Sequence, residues 1–159
     1  MDLINDGMTK VCWATSIANI NSPTAAECNA ALDFTTRVTP DGLKTDPSTA
    51  DVDNSSLAST FDTKTVGRIG FDCELTCKKG TTTPENLPFT TLKYGVTGYL
   101  LVRRGVAYNT AFAAGQKVEV YPVICGEPMN IAPAANEVAK FTSPLKVTDQ
   151  PNTNATVAA

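Results

Sequence analysis

Between Arg68 and Lys78 the chain alternates: Ile69, Phe71, Cys73, Leu75 and Cys77 fall on one side, and Arg68, Asp72, Glu74, Thr76 and Lys78 on the other. A period of two belongs to an extended strand whose two faces meet different surroundings, so this segment requires a sheet with one dry and one wet face. Similar patterns occupy residues 9–14, 33–38, 96–104, 117–125 and 137–148, where Phe141, Leu145 and Val147 oppose Lys140, Thr142 and Lys146. A single segment reads as helix. Thr24 and Glu27 have the spacing of a capping box ahead of the Ala-rich run that ends at Leu32. The expected fold is mainly β: a sandwich or barrel of about six to eight strands with one short helix.

Residues 39–65 lose all apolar periodicity in favour of Asp, Ser, Thr, Pro and Gly, which predicts a long loop or an extended β-hairpin. Connections of this length in a compact domain are uncommon and usually functional or mobile. Residues 79–93 read as a second polar connection, residues 1–8 as an N-terminal arm, and the small-residued stretch 149–159 as a C-terminal arm. With 159 residues, the whole of 1–159 is expected to form one domain with a core of its own.

What the chain lacks bounds its chemistry. It contains no histidine, so Ser-His-Asp and Cys-His nucleophile pairs, histidine general bases and His-ligated metals are all excluded. Cys12, Cys28, Cys73, Cys77 and Cys125 are odd in number and scattered, which predicts buried, reduced thiols. Cys73 and Cys77, four residues apart in a strand, would lie roughly 13 Å from each other, too far to bond. Lys78-Lys79-Gly80-Thr81 lacks the glycines of a phosphate loop, and Asp51-Val52-Asp53-Asn54 lacks the Gly and closing Glu of a calcium loop. Asp72 and Glu74 share a strand face at a spacing some glycosidases use, but any amphipathic strand offers it. Arg103-Arg104 reads as a solvated pair beside a turn or an intersubunit salt bridge. Trp13 reads as a core or interface anchor. No cofactor, no metal and no enzymatic activity are expected.

The net charge of −3 is unevenly spread: residues 1–64 hold four bases against nine acids, for −5, and residues 65–159 nine bases against seven acids, for +2. Such an acidic chain has no phosphate-tracking groove. The N-terminus has two acids and no apolar segment, which predicts no secretory signal, and no apolar run reaches the length of a membrane span.

The order of the segments carries a further expectation. Lys10-Val11-Cys12-Trp13, then Ser22-Pro23-Thr24-Ala25-Ala26-Glu27 before Leu32-Asp33-Phe34-Thr35, then Thr39-Pro40-Asp41-Gly42-Leu43 open the series. Gly98-Tyr99-Leu100-Leu101-Val102-Arg103-Arg104-Gly105-Val106, Phe112 to Val118, Val120 to Glu127 and Asn136 to Phe141 continue it. In this order the chain resembles the tail tube (major tail) proteins of long non-contractile tailed bacteriophages, most like those infecting actinobacteria. The stretch Lys79 to Leu92 matches no part of that pattern.

The resemblance implies subunits that close into hexameric rings, stack into a hollow tube and pass genomic DNA without binding it specifically. Its implied partners are further copies of the chain, a tape measure protein, a tail terminator and a distal tail protein. The protein would be made in the host bacterial cytoplasm and reside in the virion. On this reading Asp41, Lys44, Asp46, Asp51 and Asp53, in the long loop, are candidate contacts to a neighbouring subunit. Arg68, Asp72, Glu74, Thr76 and Lys78 are a candidate channel-facing surface. Two alternatives stay open: a monomeric immunoglobulin-like or capsid-decorating binding module, and a tail terminator or connector that forms a single ring.

Overall fold

Strands dominate the structure, as the alternation requires. The computed structural model describes residues 1–159. Nine strands form one antiparallel sheet: β1 (Thr9–Ala14), β2 (Leu32–Asp33), β3 (Val38–Asp53), β4 (Lys64–Lys78), β5 (Thr97–Arg104), β6 (Lys117–Cys125), β7 (Met129–Asn130), β8 (Lys140–Val147) and β9 (Asn152–Thr156). The order is β2-β1-β5-β6-β8-β4-β3, with β7 beside β8 and β9 beside β6. Helices α1 (Ala25–Ala30) and α2 (Leu87–Thr91) complete the chain.

The central strands are buried on both faces, which is why β1 and β5 read as near-continuous apolar runs. Alternate residues enter two separate cores. Trp13, Leu75, Leu100, Tyr121 and Phe141 meet in the first, and Cys12, Leu101, Phe112, Val120 and Val157 in the second. Each fully buried Leu or Phe contributes about 1.5–3 kcal/mol relative to exposure. Gly98 is required beneath Trp13, because a Cβ there would collide with the indole ring. β6 joins the two halves of the sheet: β5 runs along one edge, while β8 (at Val123–Cys125) and β9 (at Lys117–Val120) share the other.

The capping box forms as the spacing predicts, with the Glu27 amide donating to Thr24 Oγ1 at 3.2 Å and the Thr24 amide to Glu27 Oε1 at 3.3 Å. Other expectations need correction. The second strand is not 33–38: only Leu32–Asp33 pairs with β1, because the Asp33 carboxylate accepts from the Thr35 amide at 2.9 Å and turns the chain. The connection 79–93 contains α2, whose Leu87 and Phe89 pack on the first core and whose following residue, Leu92, is fully buried. The C-terminal stretch is not a free arm. β9 hydrogen-bonds to β6, Ala155 and Val157 are buried, and Ala158 exchanges backbone hydrogen bonds with Pro23 and Ala25 beside α1. Arg103 is not solvated either: its side chain is fully buried, while Arg104 donates to Glu119 at 2.7 Å.

All five cysteines are free and buried. Burial pushes the Cys12 and Cys77 thiols up to about 12 and those of Cys28, Cys73 and Cys125 to about 11. The neutral thiol is thus the native form, so this contribution to stability is complete below the ordinary value of 9.0 and is lost as pH rises through about 11. Two results are expected. At pH 8 a thiol reagent should label none of the five until urea unfolds the chain, and the urea midpoint should fall between pH 9 and pH 11. Rapid labelling of the native protein would contradict the burial.

Candidate assembly surface

The two sets of candidate residues, placed in separate segments by the sequence, lie on opposite strands of one ribbon. β3 and β4 pair antiparallel with Lys44 opposite Glu74, Asp46 opposite Asp72, Asp51 opposite Val66 and Asp53 opposite Lys64. Only residues 73–78 of β4 have a second neighbour, β8. Beyond Cys73 the ribbon leaves the body as two strands and a closing turn, and the nine residues from Lys64 to Asp72 span roughly 30 Å. The other edge of β3 pairs with nothing in this chain, which leaves backbone donors and acceptors available to a further strand.

Charge on the ribbon is mixed rather than uniformly acidic. Lys44 Nζ donates to Asp72 Oδ2 at 2.9 Å, which raises the lysine and lowers the carboxylate from their ordinary values, and so offsets the like-charged pair Asp46 and Asp72. Lys64 lies 3.5 Å from Asp51. The Asp53 carboxylate accepts from the Ser55 amide at 2.8 Å, a bond that lowers its pKa. Thr39 donates to Asp41 at 3.2 Å, and Thr76 shares a 3.0 Å hydrogen bond with Thr142 of β8. Arg68 is exposed on the free part of β4, whereas Lys78 is half-buried opposite Lys140.

Asp72 and Glu74 line none of the larger clefts, and no group of three His, Cys, Asp or Glu side chains is placed to hold a metal. The largest groove, about 700 Å³, runs between Ile69 and Phe71 of the ribbon and residues 147–151. Val66 and Ile69 continue the core face of β4 outward into solvent, and at the turn Leu57 and Phe61 are exposed. The alternation places Ile69 on the dry face, and the structure exposes it because the sheet body ends at Cys73; Val66, Leu57 and Phe61 were passed over, although large apolar side chains in an otherwise polar stretch were the available signal.

No helix is long and apolar enough to cross a membrane. Compared with solved structures, the fold is similar to a chain in the cryo-EM structure of the anti-feeding prophage baseplate, 6-fold symmetrised, with a TM-score of 0.54 at 11% identity over 96% of each chain. No curated protein matches the sequence. The family model described as phage tail tube protein matches residues 1–159, the whole of the chain. The chain therefore belongs to the phage tail tube protein family and is a structural protein of the phage tail.

Proposed function

We propose that the chain closes into hexameric rings that stack into a hollow tail tube, through which the genome passes on ejection. The observation that carries this reading is the outer part of the two-stranded ribbon, residues 49–69, none of which is buried within its own chain. Isolated two-stranded ribbons are marginal in water, and ordering each residue costs about 1–2 kcal/mol, so contacts to other copies supply what the single chain does not. The unpaired edge of β3 supports the same reading, since strand addition around a ring removes an exposed edge. The similar baseplate chain belongs to an assembly with six-fold symmetry.

Within this reading Asp41, Lys44, Asp46, Asp51 and Asp53 lie on the subunit-contacting ribbon. Arg68, Asp72, Glu74, Thr76 and Lys78 belong to the face turned to the channel, where carboxylates keep passing DNA from adhering. Residues 1–8, with Met1, Leu3 and Ile4 exposed, order against a neighbour on assembly. The tube ends meet a tape measure protein, a terminator and a distal tail protein, in a virion of an actinobacteriophage-like virus assembled in the host cytoplasm. No catalytic role is assigned.

Negative-stain microscopy of the concentrated protein tests the reading. Hollow tubes of constant diameter are expected. Single rings that never stack would favour a terminator or connector, and a chain that stays monomeric with or without tail extracts would favour a monomeric binding module.

A further inference from the structure

The two ends of the ribbon differ in character. The turn at the free end is built by its own hydrogen bonds: Ser55 Oγ accepts from the Thr63 amide at 2.9 Å, Ser59 Oγ accepts from the Ser56 amide at 2.9 Å, and the Asn54 amide donates to the Thr63 carbonyl at 3.2 Å. This turn holds Leu57 fully exposed and Phe61 79% exposed. Asp53 and Asp62 flank them, and residues 51–64 contain three acids and one base. The tip is an apolar knob in an acidic collar.

The far end of β4 has the opposite composition. Lys78 sits directly opposite Lys140 of β8, a like-charged pair that destabilises a sheet unless an anion is near. Lys79 Nζ and Lys93 Nζ both lie over the Phe89 ring, at 4.2 and 3.7 Å from its centre. Among these four lysines, only Lys140 has an ion-pair partner, Glu137 at 3.5 Å. Beside them opens a groove of about 320 Å³ whose floor includes Ile131, Pro133 and Val138 and whose rim carries Lys79, Lys140 and one acid, Glu137. It is an apolar hollow whose edge is basic on balance. The two ends are separated by the length of β4, roughly 45 Å, so a chain cannot fill its own groove.

We propose that the hairpin tip of one copy seats Leu57 and Phe61 in the Ile131–Val138 groove of a second copy, with Asp53 and Asp62 against Lys79 and Lys140. The inference rests on the stacked-tube reading and names the receiving surface. Knob and groove occupy different parts of the molecule, so the contact is heterologous and repeats from copy to copy. Charge complementarity selects the second copy as occupant: an acidic collar meets a cluster of four lysines that holds one internal ion pair, Lys140 with Glu137, and one neutral hydrogen bond, from Lys79 to Asn130 at 3.0 Å.

The test mixes two full-length variants, Phe61→Cys and Val138→Cys, under oxidising conditions. The native thiols are buried, so a mixed disulfide dimer is expected as the main product, and neither variant alone should give it. Separately, reversing the groove (Lys79→Glu with Lys140→Glu) or the tip (Asp53→Lys with Asp62→Lys) should reduce sedimentable assemblies at least tenfold, with melting temperatures checked to confirm folding. Combining both reversals in one chain should restore them. Normal tubes without the mixed disulfide would overturn the docking and leave the tube reading intact. A wild-type chain that gives neither tubes nor the mixed disulfide at high concentration would overturn both. If the lysine reversals spare assembly but abolish retention of a short DNA duplex, the cluster serves nucleic acid and the proposal fails.

Discussion

Replacing Arg103 with leucine should lower the melting temperature by roughly 10 °C, equivalent to about 3 kcal/mol in a chain of this size. Arg103 is fully buried, and every oxygen its guanidinium bonds belongs to a carbonyl or amide rather than a carboxylate. Its guanidinium instead donates to the carbonyls of Ala111 (3.1 Å), Ala107 (3.0 Å) and Thr110 (2.7 Å) and to Gln116 Oε1 (3.1 Å), and it stacks 4.7 Å from the centre of the Phe112 ring. Leucine restores the apolar volume but none of these bonds, and the Ala111 carbonyl has no other donor. Burying an acceptor without a partner costs about 1–3 kcal/mol.

The damage should spread beyond the loop. Phe112, which this network positions together with the Asn29 side chain, seals the second core. Arg103→Lys should recover little, because a single ammonium cannot reach acceptors arranged for a planar fork. Scanning fluorimetry of both variants is sufficient. A change of less than about 2 °C for the leucine variant would mean that water reaches these carbonyls.

The parts of the fold that were legible in the sequence are those where side chains report their surroundings. β4 from Phe71 onward, β5, β6 and β8 alternate, or are apolar throughout, because each has a face on a core, and the Thr24–Glu27 box announces α1. Backbone pairing leaves no such mark. β9 is a strand because Asn152 to Thr156 bond to β6, yet its only buried side chain is Ala155, so it reads as a tail. β3 is exposed over most of its length, and with neither face in a core its residues have no reason to alternate. The burial of Arg103 depends on a loop that closes over it from the following residues, and its neighbour Arg104 faces the other way. The lysine-rimmed groove is lined mainly by one stretch, Asn130 to Lys140, but Lys79 joins it from just beyond the end of β4, a meeting that no local pattern records.

Removing the outer ribbon should abolish assembly while leaving the monomer's stability nearly unchanged. Ser48 and Gly70 face each other across β3 and β4, so replacing residues 49–69 with Asn-Gly lets a two-residue turn close the shortened hairpin. A deletion of 44–58 would be less informative, since Lys44 and Thr45 pair with Glu74 and Cys73 where β4 enters the core. None of residues 49–69 is buried, so their loss removes no core contact. The ordering cost of the exposed ribbon and the backbone pairing that offsets it disappear together, because residues 49–69 pair only with one another. The truncated chain should melt within a few degrees of the full-length protein, and sedimentation should find it monomeric at concentrations where the full-length protein forms tubes. Retention of the melting temperature separates this outcome from simple misfolding. Tubes of normal length from the truncated chain would show that the ribbon is dispensable, and the contacts that hold copies together would then have to lie on the sheet body and its free β3 edge.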